Sequence, residues 1–140
     1  MSINFKGLKL SAKSSIISAA LSLIELIVFC IYGAVYNTYF DIAVVLFLAA
    51  AVLCSAGYAL LDKKIAQWLN LVAVFCGTFA LGLFFLNSYP VWADWYGGFT
   101  MYGSQGGIAP VIVIMVINIL AMVLEIISCF TDKGGAADEA

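Results

Sequence analysis

Two glutamates interrupt otherwise apolar segments: Glu25 within LSLIELIVFC and Glu125 within AMVLEIISCF. A carboxyl in such a setting exchanges a proton, holds a cation, or serves as a hydrogen-bonding contact between helices. No Lys or Arg stands inside the same segments to neutralise either acid. At the centre of a bilayer a charged side chain costs about 2.5–3.5 kcal/mol on insertion scales. A protonated carboxyl bonded to Asn or Ser removes most of that cost. Read functionally, Glu25 is the principal carboxylate of a proton- or cation-coupled site and Glu125 an inner relay, with Asn118, Asn70, Ser22 and Ser55 supplying neutral oxygens. Read structurally, the same groups are polar glue between helices. Asp41 and Asp62 fall at segment ends and are expected to be solvated boundary residues.

Other chemistry is scarce. Histidine is absent, which removes the usual general base and the commonest transition-metal ligand. Cys30, Cys54, Cys76 and Cys129 all lie in apolar runs without a CxxC pair. They read as small apolar fillers, since a redox thiol has to be accessible and activated. With no nucleophile–base pair and no metal-ligand cluster, neither an enzyme, a cofactor nor a metal centre is expected. A net charge of −2 carries no basic footprint for nucleic acid.

A second candidate site is the aromatic stretch 88–107, SYPVWADWYGGFTMYGSQGG. Ser88 is placed to cap a short helix with Pro90 in its first turn. Trp92, Trp95, Tyr96 and Phe99 would mark its apolar face, and Gly97 and Gly98 would end it. Trp92, Asp94, Trp95 and Tyr96 together suit a lid that cages an organic cation. They also suit an interfacial anchor, where Trp and Tyr are favoured in any case, and this is the preferred reading. Docking of a partner is a third. The glycine pairs lack the basic residue and spacing of a phosphate loop.

The elements that must position these residues follow from composition. Of 140 residues, 65% are hydrophobic and 10% charged, with mean hydropathy +1.11. Soluble domains are about 45–50% apolar and about 25% charged, and a chain this short cannot hide the excess. The solvent is therefore lipid. Four runs are long enough for the roughly 20 residues a spanning helix needs: 14–36, 41–61, 65–87 and 108–130. The first exceeds the h-region of a signal peptide and lacks a convincing cleavage site, so it reads as retained. NTYF and DKK join the first and second pairs, which predicts antiparallel neighbours.

All six basic residues are lysines on one side of these spans: Lys6, Lys9, Lys13, Lys63, Lys64 and Lys133. Positive loops mark the cytoplasm, so both termini are expected inside. Residues 37–40 and 88–107 then form the outer loops. Tyr32, Tyr36, Tyr39, Phe40, Tyr89, Trp92, Trp95 and Tyr96 form an expected outer aromatic belt, with Tyr58 and Trp68 a sparse inner one. Residues 1–13 suit a segment lying on the inner leaflet, and 131–140 a flexible cytoplasmic tail.

Each span carries its small and polar residues at alternating steps of four and three. The stripes run Ser11, Ser15, Ser18, Ser22, Glu25, Phe29, Tyr32 and Tyr36; Asp41, Val44, Leu48, Ala51, Ser55, Tyr58 and Asp62; Ala66, Asn70, Ala73, Gly77, Ala80, Phe84 and Asn87; and Val111, Ile114, Asn118, Ala121, Glu125, Ser128 and Asp132. A 3.5-residue repeat keeps one stripe against its neighbours in a left-handed bundle. Small residues there let helices approach closely in lipid. The prediction is an all-α, left-handed, antiparallel four-helix membrane bundle with a polar seam in two layers. Glu25 and Asn118 share the midplane. Glu125 and Asn70, with Ser18, Ser22 and Ser55, lie nearer the cytoplasm.

Two function classes follow. The first is an accessory or assembly subunit, or a self-assembling bundle, with a homo-oligomeric or other membrane-protein partner in the plasma membrane of a bacterium. The alternative is a small oligomeric proton- or cation-coupled transporter or channel using Glu25 and Glu125.

Overall fold

The computed structural model describes residues 10–36, 41–61, 66–98 and 107–131. They form five helices: α1 (Leu10–Tyr36), α2 (Ile42–Leu60), α3 (Ala66–Asn87), α4 (Tyr89–Gly97) and α5 (Ile108–Phe130). There is no strand among the described residues. All but α4 are long and apolar enough to cross a bilayer, which fits a multi-pass membrane protein. α1 begins four residues ahead of the expected span start, so Ser11 and Ala12 are buried helix residues.

The four long helices pack in a ring, α1 against α2 and α5, and α3 against the same two. Their contacts fix the directions. The start of α1 meets the end of α5 through Ser11 and Ser128, and the end of α2 through Ser15 and Ser55. The start of α2 meets the end of α3 through Asp41 and Asn87. Neighbours therefore run antiparallel, as the short connections require.

The expected stripes are the buried faces. In α2 the buried residues are Val44, Leu48, Ala51, Ser55 and Tyr58, and in α5 they are Val111, Ile114, Asn118, Ala121, Glu125 and Ser128. In α3 they are Asn70, Ala73, Gly77, Ala80 and Phe84. α1 buries its stripe from Ser11 to Tyr32, and also Ala12, Ser14 and Gly33. Asp62, Asp132 and the side chain of Ala66 lie outside the described residues. The outward surface among the described residues is mostly large and apolar, including Ile31, Leu53, Phe75, Val116 and Phe130. A continuous apolar girdle of this kind would aggregate in water and is satisfied by lipid.

Close approach depends on small residues. A Cβ on Gly77 would come within 3.2 Å of Met122 Cγ on α5, and one on Gly57 within 3.2 Å of Leu69 Cδ1 on α3. Hydrogen at these positions lets the backbones draw together where lipid supplies no hydrophobic drive.

The bundle is divided along its axis. The half nearest α4 is a dry core of Phe29, Tyr32, Val44, Leu48, Phe84 and Ile114, joined by Val91 of α4. Phe29 meets Phe84 edge to face, with centroids 5.6 Å apart. The other half is filled with serine, alanine, asparagine and glutamate. Tyr32 and Tyr58, expected in the aromatic belts, are instead buried. Their positions on the stripe outweigh the interfacial preference of the phenol ring.

Asp41 is not merely a solvated boundary residue. One carboxylate oxygen accepts from the Ala43 N–H at 2.8 Å, capping α2, and the other accepts from Asn87 Nδ2 at 2.7 Å. An acid immediately before an apolar helix fills the cap that the helix start leaves open. Pro110 occupies the first turn of α5, where no intrahelical N–H bond is lost.

Candidate functional site

The upper layer of the seam is a single pair. Asn118 Nδ2 on α5 donates to Glu25 Oε1 on α1 at 2.8 Å. Both side chains are 2% exposed. Glu25 Oε2 and Asn118 Oδ1 are buried without a hydrogen-bond partner among the described residues. Because the amide nitrogen is committed to the carboxyl, the free end of Asn118 is an acceptor.

The lower layer gathers around Glu125, also 2% exposed. Ser15 Oγ lies 3.4 Å from Glu125 Oε1, and Ser18 and Ser55 line the same cavity as the carboxyl. The Asn70 amide satisfies its surroundings with its nitrogen toward Glu125 Oε1 and its oxygen toward the Cys129 N–H and the Ser128 hydroxyl, each at 3.1 Å. Glu125 Oε2 is buried and has no partner among the described residues.

Serine hydroxyls also stitch helices to one another. Ser15 Oγ donates to the Ser55 carbonyl at 2.9 Å, Ser18 Oγ to the Ala121 carbonyl at 2.8 Å, and Ser128 Oγ to the Ser11 carbonyl at 2.8 Å. Such bonds hold α1 to α2 and α5 without adding charge. Ser15 and Ser128 were legible as stripe members, but not as partners of specific carbonyls.

Between the layers lies a cavity of about 10 Å³, the room one water occupies. Ser18, Ser22, Ser55, Asn118 and Glu125 line it, with Gly77 among its smaller walls. Glu25 is not among the lining residues and is linked to them through Asn118. Of the six seam residues singled out by spacing, Ser22, Ser55, Asn118 and Glu125 line this cavity, Glu25 bonds to Asn118, and the Asn70 amide faces Glu125. Among the described residues, no group of His, Cys, Asp or Glu suits a metal ion through those side chains. The four cysteines are free thiols.

The aromatic stretch behaves differently. α4 starts after Ser88 with Pro90 in its first turn, and Gly98 ends it at φ 70°, a conformation natural to glycine. Ser88 makes no side-chain cap. It is fully buried, and its hydroxyl donates to the Phe85 carbonyl and accepts from Trp92 Nε1, each at 3.2 Å. The indole competes successfully for the oxygen that would otherwise cap the helix. Val91 is the residue α4 buries, while Trp92 is half-buried against Phe85 and lies edge to face with Trp95 at 6.4 Å. Trp95 is 58% and Tyr96 90% exposed. Trp92, Trp95 and Tyr96 therefore do not share one inward face, and Phe99 lies outside the described residues. An exposed Trp and Tyr beside a docked Trp suit anchorage at a membrane surface.

No family model, curated protein or solved structure matches this chain. The chemistry of the interior therefore carries the functional argument.

Proposed function

We propose that this chain is a small integral membrane transporter or channel that passes protons or small cations through its polar interior, using Glu25 and Glu125. The observation that carries this reading is the pair of carboxyls buried among helices, each with one oxygen unpartnered among the described residues; Glu125 lines a water-sized cavity, and Glu25 bonds to Asn118, which lines it as well. Contacts that serve only as glue satisfy their polar atoms, because an unmet buried acceptor costs free energy. An exchangeable group has to leave room for what it exchanges. Both termini lie in the cytoplasm on this reading, given the lysine distribution, and the 3.5-residue seam favours a left-handed supercoil. The membrane is the plasma membrane of a bacterium.

Protein reconstituted into liposomes should dissipate an imposed proton or sodium gradient faster than empty liposomes do. Glu25→Gln and Glu125→Gln should each slow that flux on the order of tenfold or more, since an intramembrane relay has no substitute group at the same depth. Wild-type protein that moves neither ion, or variants that match it, would remove the carboxyls from any transport role.

The second reading, an assembly subunit or self-assembling bundle, is favoured by one feature. An apolar crevice of about 180 Å³ opens between α1 and α2, lined by Ile16, Ala19, Ala56, Ala59 and Leu60. A helix of another chain or an acyl tail would fill it. The small residues of the main stripes, however, are already used within the chain, which weakens the case for assembly through them.

Orientation is separately testable. With the four native cysteines changed to alanine, a membrane-impermeant thiol reagent on whole cells should label Tyr96→Cys strongly and Thr131→Cys only at background. The reverse pattern would invert the topology.

A further inference from the structure

We propose that the cavity between the two carboxyl layers binds one small monovalent cation of sodium size. This rests on the transport reading above and names its coupling ion. The cavity walls offer acceptors in surplus. Asn118 lines the space with its nitrogen spent on Glu25 Oε1, so Oδ1 is what it has left. Glu125 lines it with Oε2 unpartnered. Ser18 has given its hydrogen to the Ala121 carbonyl at 2.8 Å and turns lone pairs to its surroundings. Ser22 and Ser55 add two more hydroxyl oxygens. An occupant has to satisfy several oxygens at once.

Charge and size narrow the occupant. Hard cations take carboxylate, carbonyl and hydroxyl oxygens, and five such side chains border the cavity. One of them is an acid, so with Glu25 protonated a single positive charge gives a neutral site, whereas a divalent ion would leave an excess charge buried. The space of about 10 Å³ has room for one occupant of about the size of a water, so an ion bound there would exchange hydration waters for the lining oxygens. A water molecule also fits and donates two hydrogens; it suits a protonated Glu125, whereas the ionised carboxylate calls for a cation. Glu25 acts here as a positioning residue: by accepting from the Asn118 nitrogen, it turns the amide oxygen toward the cavity.

The full-length chain, purified in detergent, is unfolded thermally while tryptophan emission is followed, in sodium, lithium, potassium or choline chloride at constant pH and ionic strength. Sodium should raise the midpoint over choline in a saturable manner, by on the order of 5 °C, with potassium giving a smaller rise. Glu125→Gln and Asn118→Leu should lose the difference between sodium and choline. Equal midpoints for the wild type in all four salts would overturn the site and leave water or a proton as the occupant. That comparison does not depend on how the variants fold. A sodium-specific rise without liposome flux would uphold the site and sink the transport reading. Proton flux without any discrimination between the ions would do the reverse.

Discussion

Replacing Glu25 by lysine should destroy the folded bundle under conditions in which Glu25→Gln remains intact. The Glu25 carboxyl is 2% exposed and accepts from Asn118 Nδ2 at 2.8 Å. A lysine brings three donors and no acceptor, so the Asn118 nitrogen loses its acceptor across the α1–α5 contact. Eleven residues separate position 25 from the end of α1 at Tyr36, roughly 16 Å along a helix, farther than a lysine stem can snorkel. The ammonium is held at mid-membrane depth, at a cost of about 3 kcal/mol. For a chain of this size the midpoint should fall on the order of 10 °C, with loss of a single symmetric peak in size-exclusion chromatography. Glutamine keeps an acceptor oxygen for Asn118, and its midpoint should stay within a few degrees of the parent. A Glu25→Lys protein as stable as the parent would show that this carboxyl does not lie inside the bundle.

Phe29→Ala should be nearly as damaging, for a different reason. Phe29 is 0% exposed and meets Phe84 of α3 edge to face at 84°, in the cluster that also holds Tyr32, Leu48 and Ile114. In water, such a truncation loses a transfer free energy and creates a void. In a bilayer the transfer contribution largely disappears, because a separated helix keeps its phenyl ring in hydrocarbon. What remains is the void: at about 24 cal/mol per Å³, an unfilled space on the order of 100 Å³ costs about 2–3 kcal/mol. Thermal unfolding in detergent should show a fall of roughly 8–12 °C, while Ile31→Ala, on the lipid-facing side of α1, should change little. Equal effects at the two positions would mean that the aromatic cluster is not the packed core.

Much of this arrangement is legible in the sequence, because lipid simplifies the code. Where every face of a helix is apolar, the rare small and polar residues report directly on the interior. Spacing in α1 and α5 therefore paired Glu25 with Asn118, and depth along the spans put Asn70 and Ser55 beside Glu125. The finer chemistry was not legible. Which amide atom of Asn118 meets Glu25, and which oxygens are left over, depends on side-chain rotation, which spacing does not encode. Nor does counting His and Cys detect a site built from carboxyl, amide and hydroxyl oxygens. Asp41 carried a local signal, an acid just before a helix, but its reach to Asn87 depends on the α2–α3 register. Ser88 misled for a related reason: the same hydroxyl that suits a cap also suits an indole four residues on, and the indole took it.

The division of the interior into a dry aromatic half and a hydroxyl-lined half has an electrical consequence. A membrane potential falls most steeply through the least polarisable material, so most of the drop lies across the layer of Phe29, Tyr32, Leu48 and Phe84. On the transport reading, an ion reaching Glu125 from the end of the bundle away from α4 would cross little of the field. The remaining step, past Asn118 and Glu25 and through the aromatic layer, meets nearly all of it, at about 2.3 kcal/mol per elementary charge for every 100 mV. The voltage sensor of such a protein would then be the position of its own bound ion, with no charged helix required to move.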